Sequence, residues 1–399
     1  MTRAPLPIDE ALPRLTAALR TGTAAVLAAP PGAGKTTRVP PALAAEPWAA
    51  GGRILMLEPR RLAARAAAER MAEEAGEPVG RAIGYRIRGE TRVSAATRIE
   101  VVTEGVLTRM LQADPDLPGV AAVVFDEVHE RSVHTDLGLA LVREVQAALR
   151  PDLRVVAMSA TLETARFAAL LGGAPVIASA GRMFPVETRW LDRPLGPATR
   201  FEDAAADLVV RAMAEGGAGD ALVFLPGAGE IGRVAARLGS RLPGVAIRTL
   251  YGAMDFAAQR AALAPVPGAR RVVLATAIAE TSLTVEGVRV VVDCGRARRA
   301  RVNPATGLAR LVTVAVSRAE AEQRRGRAGR LGPGTCWRMW TKGEEGALPA
   351  FAAPEILETD LAALALELAA WGVADPAGMA FPDPPPAPAA RAPDHRVTA

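Results

Sequence analysis

Two acidic residues directly follow a short apolar run in the first half of the chain. The run is Val120–Phe125, and the next residues are Asp126-Glu127-Val128-His129-Glu130-Arg131. Small and β-branched apolar residues in such a run predict a strand buried on both faces. Carboxylates at its carboxyl end lie where open α/β sheets bind ligands. Paired acids there suit phosphoryl transfer, with one holding Mg²⁺ and one orienting the attacking water. The alternative, from this motif alone, is an acidic strand-to-helix loop.

A glycine-rich turn upstream predicts a second part of the same chemistry. The predicted strand 24–28 is followed by Ala29-Pro30-Pro31-Gly32-Ala33-Gly34-Lys35-Thr36-Thr37. A turn of this kind exposes backbone N–H groups and a helix N-terminus, which together form an anion cradle. Lys35 can reach the β- and γ-phosphates of a nucleotide, and the Thr36 hydroxyl can ligate Mg²⁺. We therefore predict a P-loop with phosphate-binding residues Gly32, Ala33, Gly34, Lys35, Thr36 and Thr37, although Ala29 replaces its usual first glycine.

An arginine-rich segment in the second half is Gln323-Arg324-Arg325-Gly326-Arg327-Ala328-Gly329-Arg330. So many arginines predict a poor core helix, and acidic partners are few nearby in sequence. The residues alone leave two interpretations open. The segment is either a basic helix face on a nucleic-acid groove or a source of arginine fingers. Such fingers accelerate phosphoryl transfer by on the order of 10³–10⁵ when they contact a γ-phosphate.

Composition limits the class of protein. The chain has 399 residues, half of them hydrophobic, which predicts two or three domains with sizeable cores. No apolar run reaches the roughly 18 residues needed to cross a bilayer, and the N-terminus lacks a hydrophobic signal core. The only cysteines, Cys294 and Cys336, lie in apolar contexts, which argues against a disulfide framework or a zinc site. We expect a cytoplasmic monomer with no membrane partner.

Strand and helix patterns alternate along most of the chain. Predicted strands cover 24–28, 54–57, 84–88, 99–102, 120–125, 154–158, 221–225, 246–250, 271–275 and 288–292. Polar residues recur where these strands end, which predicts an α/β fold with a mostly parallel, doubly wound sheet in each half. Turn residues at 303–307 predict a β-hairpin over 300–316. The expected segments are 1–183, 184–345 and a helical, Pro-rich C-terminal part at 346–399, with disorder over 382–394.

Taken together, these segments resemble the DEAH-box helicases of superfamily 2, most closely the bacterial HrpB-like branch. The resemblance runs in order over about residues 8–386. Its motifs are GAGKTT (32–37), EPRRLAAR (58–65), TEGVLTR (103–109), DEVHER (126–131), SAT (159–161), FLPGAGEI (224–231), ATAIAETSLT (275–284) and QRRGRAGR (323–330). Each motif alone is weak or moderate evidence, whereas the ordered series is specific.

The resemblance implies two tandem RecA-like domains that bind ATP, or another NTP, with Mg²⁺ in the cleft between them. It places Thr36, Asp126 and Glu127 around Mg²⁺ and makes Glu127 the base that deprotonates the attacking water, helped by Gln323. The further nucleotide contacts that it implies are Ser282 and the arginine fingers Arg327 and Arg330. It also implies that Arg70 stacks on the base, opposite a position that is Leu263 here rather than an aromatic residue.

The resemblance also implies how hydrolysis is coupled to a nucleic acid. His129 would act through Ser159 and Thr161. The residues that would hold strand phosphates are Arg60, Arg61, Thr103 and Thr276, and the 300–316 hairpin would lie near a duplex junction. From the residues alone, Thr103 is equally a simple N-cap, and Arg60 and Arg61 are equally a solvated helix start.

The function implied is an ATP-dependent RNA helicase that translocates 3′→5′ on single-stranded or partly duplex RNA, with DNA as another candidate. An alternative is an RNA-binding remodelling ATPase with little processive unwinding. Family members continue into a winged helix and further accessory domains, whereas this sequence stops near where the winged helix begins. We therefore expect ATPase activity to survive better than processive unwinding. A P-loop kinase or transporter-type ATPase is a third candidate, but it would lack QRRGRAGR on a second unit.

Overall fold

The computed structural model describes residues 5–161, 164–181, 184–280, 285–302 and 309–386. These residues form two compact units. The first contains the described residues between 5 and 181 and those between 353 and 386. The second contains nearly all of those between 184 and 352. Within the described part of the chain, no helix is both long and apolar enough to cross a membrane.

The first unit is built on one mostly parallel sheet. Its strands are β1 (Ala24–Ala28), β2 (Arg53–Leu57), β3 (Ile83–Ile87), β4 (Glu90–Arg92), β5 (Ile99–Val102), β6 (Val120–Phe125), β7 (Arg154–Ser159) and β8 (Val176–Ala178). They lie in the order β4-β3-β5-β2-β6-β7-β1-β8. Only the β3–β4 pair is antiparallel among these described pairings. The carboxyl ends of β1, β2, β5, β6 and β7 therefore meet at one edge of the sheet.

Helices cover both faces of this sheet. They are α1 (Leu12–Thr21), α2 (Lys35–Ala44), α3 (Arg61–Ala75), α4 (Glu104–Ala113), α5 (Val133–Ala148) and α6 (Thr164–Leu170). Neighbouring strand residues enter different cores: Leu55 packs in the cluster with α4 and α5, whereas Met56 packs in the cluster with α1, α2 and α3. Burial on both faces explains why the strand sequences are nearly continuous apolar runs.

The second unit repeats this arrangement with a sheet whose described pairs are all parallel. Its strands are β9 (Val186–Leu191), β10 (Asp220–Phe224), β11 (Ala246–Leu250), β12 (Arg271–Ala275), β13 (Val288–Asp293), β14 (Arg296–Val302), β15 (Ala309–Ala315) and β16 (Gly334–Thr341). The sheet order is β11-β12-β10-β13-β16-β9, and β14 pairs separately with β15. The helices are α7 (Phe201–Glu215), α8 (Ala228–Leu238), α9 (Phe256–Leu263), α10 (Arg318–Gly326) and α11 (Lys342–Glu345).

The predicted α/β architecture is confirmed in both units. The ten predicted strands are present within one or two residues of their expected bounds. Strands β4, β8, β9 and β16 were not predicted. β4 and β8 have only three residues each, and β16 places arginine and tryptophan in a strand interior. The predicted hairpin corresponds to β14 and β15, while its tip at 303–308 lies outside the described residues.

The C-terminal segment differs from the expected third segment at 346–399, because its described residues after 353 join the first unit. It contains α12 (Ala362–Ala370). Its buried apolar residues are part of the core beside α4 and α5: Ile356, Leu361, Leu364, Leu368 and Phe381. Residues 382–386, expected to be disordered, are described and follow this packed stretch, whereas 387–399 lie outside the described residues. The residues that α12 packs against are distant in sequence, so the composition of the C-terminal segment does not predict this packing.

This packing predicts a large difference between two leucines of α12. Leu364→Ala should lower the free energy of unfolding by about 2–5 kcal/mol, because Leu364 is 2% exposed in a filled core. Leu366→Ala is the matched control on the same helix, since Leu366 is 69% exposed, and it should change stability by less than about 0.5 kcal/mol. Urea unfolding of both variants measures the difference, and equal effects would contradict the packing described here.

Candidate active site

The turn after β1 requires glycine at its last position. Gly34 has a φ of +96° and directly precedes α2, which begins at Lys35. A Cβ at position 34 would also lie 2.6 Å from Cδ1 of Leu6. The left-handed backbone therefore favours glycine, and the Leu6 side chain would have to shift to admit any Cβ. As a result, Lys35 is placed on the first turn of α2, with its side chain buried.

The acids that follow β6 surround the ammonium group of Lys35. Its Nζ lies 2.8 Å from Oε1 of Glu127 and 3.6 Å from Oδ1 of Asp126. The Thr36 hydroxyl donates a 2.6 Å hydrogen bond to Oδ2 of Asp126. Both carboxylates are buried. Although burial lowers it, the charges of Asp126 and Glu127 raise the pKa of Lys35 above its ordinary value, so the ammonium stays charged.

A third carboxyl group, which the sequence analysis did not single out, completes this cluster. Glu58 follows β2, is 1% exposed and shares a hydrogen bond with Asp126. Burial, together with the charges of Asp126 and Glu127, raises the pKa of Glu58 well above its usual range. Burial raises the pKa of Asp126 as well, and Oε2 of Glu58 has no hydrogen-bond partner among the described residues. The sequence signals for Glu58 were its place at the end of the strand next to β6 and its position as the first residue of the EPRRLAAR motif.

The loop after β6 begins and ends in unusual backbone conformations. Glu127 has a φ of +52° and Arg131 a φ of +54°, a region that residues with a Cβ rarely occupy. Between them, Nδ1 of His129 accepts a 3.2 Å hydrogen bond from the backbone N–H of Ala160. Burial lowers the pKa of His129, which fits an unprotonated Nδ1 acting as an acceptor. Glu130 pairs with Arg60 at 3.0 Å.

The predicted coupling residues His129, Ser159 and Thr161 are therefore neighbours in the structure. His129 reaches the main chain of Ala160 rather than the hydroxyls on either side of it. Ser159 and Thr161 instead hydrogen bond to each other, with the Thr161 N–H donating to Oγ of Ser159 at 3.1 Å. The loop thus contacts the segment that ends β7, and through Glu130 it also contacts the segment that follows β2.

The other predicted residues of the first unit lie around the same sheet edge. Arg61 begins α3 and is exposed. Thr103 is the N-cap residue of α4, as the alternative prediction had it, although its side chain makes no capping hydrogen bond. Arg70 is 61% exposed along α3 and pairs with Glu73 and Glu74, at 3.1 Å in each case.

In the second unit, some arginines of the arginine-rich segment are buried and others are partly exposed. Arg324 is 1% exposed, 2.8 Å from Asp293 and 3.1 Å from Glu280. Both acids are distant in sequence, and Arg325 also pairs with the nearby Glu322 at 3.1 Å, so the segment has more ion-pair partners than expected. The opposing charges raise the pKa of Arg324, although burial lowers it. Arg324 is therefore a buried structural cation rather than a nucleic-acid contact.

The two predicted arginine fingers line a cavity of the second unit of about 450 Å³. Arg327 is buried and its Nε donates to the carbonyl of Glu280 at 2.9 Å. Arg330 is partly exposed on the same cavity, which Asp220 and Glu286 also line. Gln323 is partly exposed on α10, and Thr276 follows β12. Ser282 lies outside the described residues.

The oxygen donors at Thr36 and Asp126 suit Mg²⁺. This ion prefers hard oxygen ligands and keeps several waters, so one hydroxyl and one carboxylate suffice when a nucleotide supplies phosphate oxygens. The buried and orphaned Oε2 of Glu58 lies in the same cluster and is a further acceptor for a coordinated water. Among the described residues, no group of three or more histidine, cysteine or acidic side chains is arranged so that it could hold a metal ion by itself.

Comparison with known proteins matches both units to helicase domains. The family described as DEAD/DEAH box helicase matches residues 9–168, and the helicase conserved C-terminal domain matches residues 204–332. The chain belongs to the DEAD/DEAH box helicase family. Its P-loop, DEVHER loop and arginine-rich segment all lie within these two matched domains.

Individual relatives agree with this family. "ATP-dependent RNA helicase HrpB" of Escherichia coli (strain K12) is 50% identical over 383 residues, which cover 96% of this chain and 47% of that protein. Human "Probable ATP-dependent RNA helicase DHX34" is 36% identical over 96% of this chain and 34% of its own length. The crystal structure of the E. coli DEAH/RHA helicase HrpB superposes with a TM-score of 0.90, covering 96% of this chain and 48% of that one.

These matches support the predicted DEAH-box resemblance and its two tandem RecA-like helicase domains. The chain spans about half the length of the E. coli helicase and about a third of the human one. The domains on which the motifs lie are therefore shared, while the chains of these relatives extend beyond the matched region.

The end of the DEVHER loop provides a test of the local electrostatics. Arg131 lies 3.0 Å from Asp136, a fully buried carboxylate on α5. Burial raises the pKa of Asp136 to about 6, although Arg131 opposes the shift. The folded state thus binds the proton more tightly than the unfolded chain. The stability contributed by this proton is fully present below the unfolded pKa of about 3.8 and is lost as pH rises through about 6.

Asp136→Asn should remove this pH dependence. Between pH 4.5 and pH 7, the free energy of unfolding of the variant should rise by about 2 kcal/mol relative to that of the wild type, because only the wild type must release the buried proton. This change is expected whatever the difference in stability at a single pH. Urea unfolding of both proteins at the two pH values measures the change. A constant difference between them would show that Asp136 has an ordinary pKa.

Proposed function

We propose that this chain hydrolyses ATP and that single-stranded RNA stimulates the hydrolysis. The observation that carries the proposal is the cluster of buried Lys35, Asp126 and Glu127 at one sheet edge, with the partly buried Thr36 hydrogen-bonded to Asp126. This set combines a cation for phosphates, two oxygen donors for Mg²⁺ and a second carboxylate for water. Mg²⁺ bound with ATP would neutralise charge on the phosphates. The names of the relatives, ATP-dependent RNA helicases, favour RNA as the partner.

Each residue then has a separate role in hydrolysis. The phosphates of ATP would compete with Glu127 for the ammonium group of Lys35, 2.8 Å away, which leaves the carboxylate able to accept a proton. Glu127 would take that proton from the water whose oxygen forms a bond to the γ-phosphorus as the bond to ADP breaks. Gln323 would help to position this water, while Arg327 and Arg330 would stabilise the charge that develops on the transferred phosphoryl group.

The strand-binding surface is proposed on both units. Arg60, Arg61 and Thr103 follow parallel strands of the first unit, and Thr276 follows a strand of the second. Positive and hydroxyl groups at such positions suit contacts with backbone phosphates. Arg60 also pairs with Glu130 in the loop that carries Glu127. A phosphate that binds Arg60 would alter this pair, which gives nucleic acid a short physical route to the catalytic carboxylate.

ATP hydrolysis with and without single-stranded RNA tests the proposal directly. Glu127→Gln keeps the shape of the side chain but removes the base, so kcat should fall by about 100-fold or more. The matched control is Glu10→Gln, the same substitution at an exposed residue, which should retain wild-type kcat. Absence of RNA stimulation in the wild type, or normal hydrolysis by the Glu127 variant, would reject the assignment. The same assay with DNA of matching sequence measures the preference for RNA.

Directional movement is the finer part of the proposal. If the chain translocates 3′→5′, a duplex with a 3′ single-stranded tail should be separated in the presence of ATP, and a duplex with a 5′ tail should not. Strand displacement on native gels measures both. Equal separation of the two substrates would contradict the direction. RNA-stimulated hydrolysis without displacement of either would favour the alternative, an RNA-dependent remodelling ATPase.

A further inference from the structure

The C-terminal stretch of the first unit packs beside the candidate active site. We call residues 354–383 the strap. It runs through a 3₁₀ turn at Glu355–Leu357, helix α12 and a second 3₁₀ turn at Pro376–Gly378. Its apolar side chains enter the core formed by α4, α5 and the sheet. Two polar contacts hold it at positions away from the DEVHER loop: Glu367 with Gln112 at 2.5 Å and Trp371 with Glu144 at 2.7 Å.

One end of the strap holds the main chain where the DEVHER loop meets α5. The N–H of Glu355 donates to the carbonyl of Arg131 at 3.2 Å. Oε2 of Glu355 accepts a 3.0 Å hydrogen bond from the N–H of Val133, the first residue of α5. That N–H has no partner within its own helix. Glu355 therefore joins the last residue of the loop to the start of the following helix.

The other end of the strap holds the side chain of the same arginine. Oδ2 of Asp383 lies 2.6 Å from Nη2 of Arg131 and 2.5 Å from Nη1 of Arg166. Arg131 also pairs with Asp136, and its side chain is only 11% exposed. Charge-assisted contacts of this kind are stronger than neutral ones when they are shielded from water. Arg131 is thus fixed by the strap at both its carbonyl and its guanidinium group.

The loop needs such an anchor because it is bounded by two strained residues. Glu127 and Arg131 both have positive φ, which is unfavourable for any residue with a Cβ. The preceding strand β6 holds the loop at Asp126, whereas the strap holds it at Arg131. Between these two points the loop is also held by the contacts of Glu127 with Lys35, His129 with Ala160 and Glu130 with Arg60. Release of Arg131 would remove the anchor at the carboxyl end of the loop, and the carboxylate of Glu127 lies within the stretch that this anchor bounds. The hydrogen bond of Thr36 and the phosphate contacts proposed for the P-loop would not change directly.

We propose that Asp383 and Glu355 are positioning residues for ATP hydrolysis, acting through Arg131 to hold the catalytic loop in its working conformation. The inference rests on the proposed ATPase function. It predicts that loosening the anchor lowers kcat more than it affects the KM for ATP. If the strap served only overall stability, removing any of its contacts would instead lower the melting temperature and the active fraction of the protein.

Asp383→Ala should lower kcat by about 2- to 30-fold, the range expected for residues that act through others, with KM within about twofold of wild type. Glu367→Ala is the matched control, because it removes a carboxylate contact of the same strap away from the loop. It should keep wild-type kcat even if it lowers the melting temperature. Asp383→Glu should restore part of the activity, since it retains the charge. Asp383→Asn, which keeps the shape, provides a milder variant if the alanine variant folds poorly.

Arg131→Ala and the double variant Arg131→Ala/Asp383→Ala complete the test. If Asp383 acts through Arg131, the double variant should be no slower than Arg131→Ala alone. Three results would overturn the inference while the wild type remains an ATPase. The kcat losses of the two single variants could multiply in the double variant, or KM could rise as much as kcat falls. Asp383→Ala could also have the same kcat as Glu367→Ala. A wild type without ATPase activity would reject the proposed function itself, and the role of the strap with it.

Discussion

The candidate site depends on one buried ammonium group. Glu58, Asp126 and Glu127 follow adjacent strands and are nearly removed from solvent. Several carboxylates so close together repel one another and lose their hydration, which is strongly unfavourable unless a cation or a proton compensates. Lys35 supplies the cation, and burial together with the two neighbouring charges raises the pKa of Glu58 well above its usual range. A nucleotide with Mg²⁺ meets the same requirement, which is why this arrangement suits a phosphate substrate.

The use of lysine at this position has a physical reason. Lys35 and Lys342 are the only lysines, and the other basic residues of the chain are arginines. An ammonium is a compact point charge with three donors, whereas a guanidinium is a wider planar group. Between the P-loop and the two acids that follow β6, the compact group can approach both Asp126 and Glu127.

The second unit satisfies the same constraint without a P-loop. Arg324 balances Asp293 and Glu280 in its interior, and its guanidinium stacks 4.9 Å from the centre of the Phe224 ring. This pairing ties α10 to β13 and to the segment after β12, and Arg327 and Arg330 follow directly at the end of that helix. In both units the groups proposed for chemistry are therefore held by a buried ion network. In the first unit the strap extends that network to the far end of the catalytic loop.

The sequence by itself determined the repeating pattern and the chemical groups. Apolar runs of strand length, each ending in polar residues, predicted ten strands and the edge at which Lys35 and Asp126 meet, because parallel strands bring their carboxyl ends together. Only the tertiary structure decided the long-range partners. Glu58 hydrogen bonds to Asp126, the N–H of Ala160 donates to His129, and Asp383 of the strap pairs with Arg131. Each of these depends on which elements become neighbours, and no local period or spacing in the chain encodes that choice.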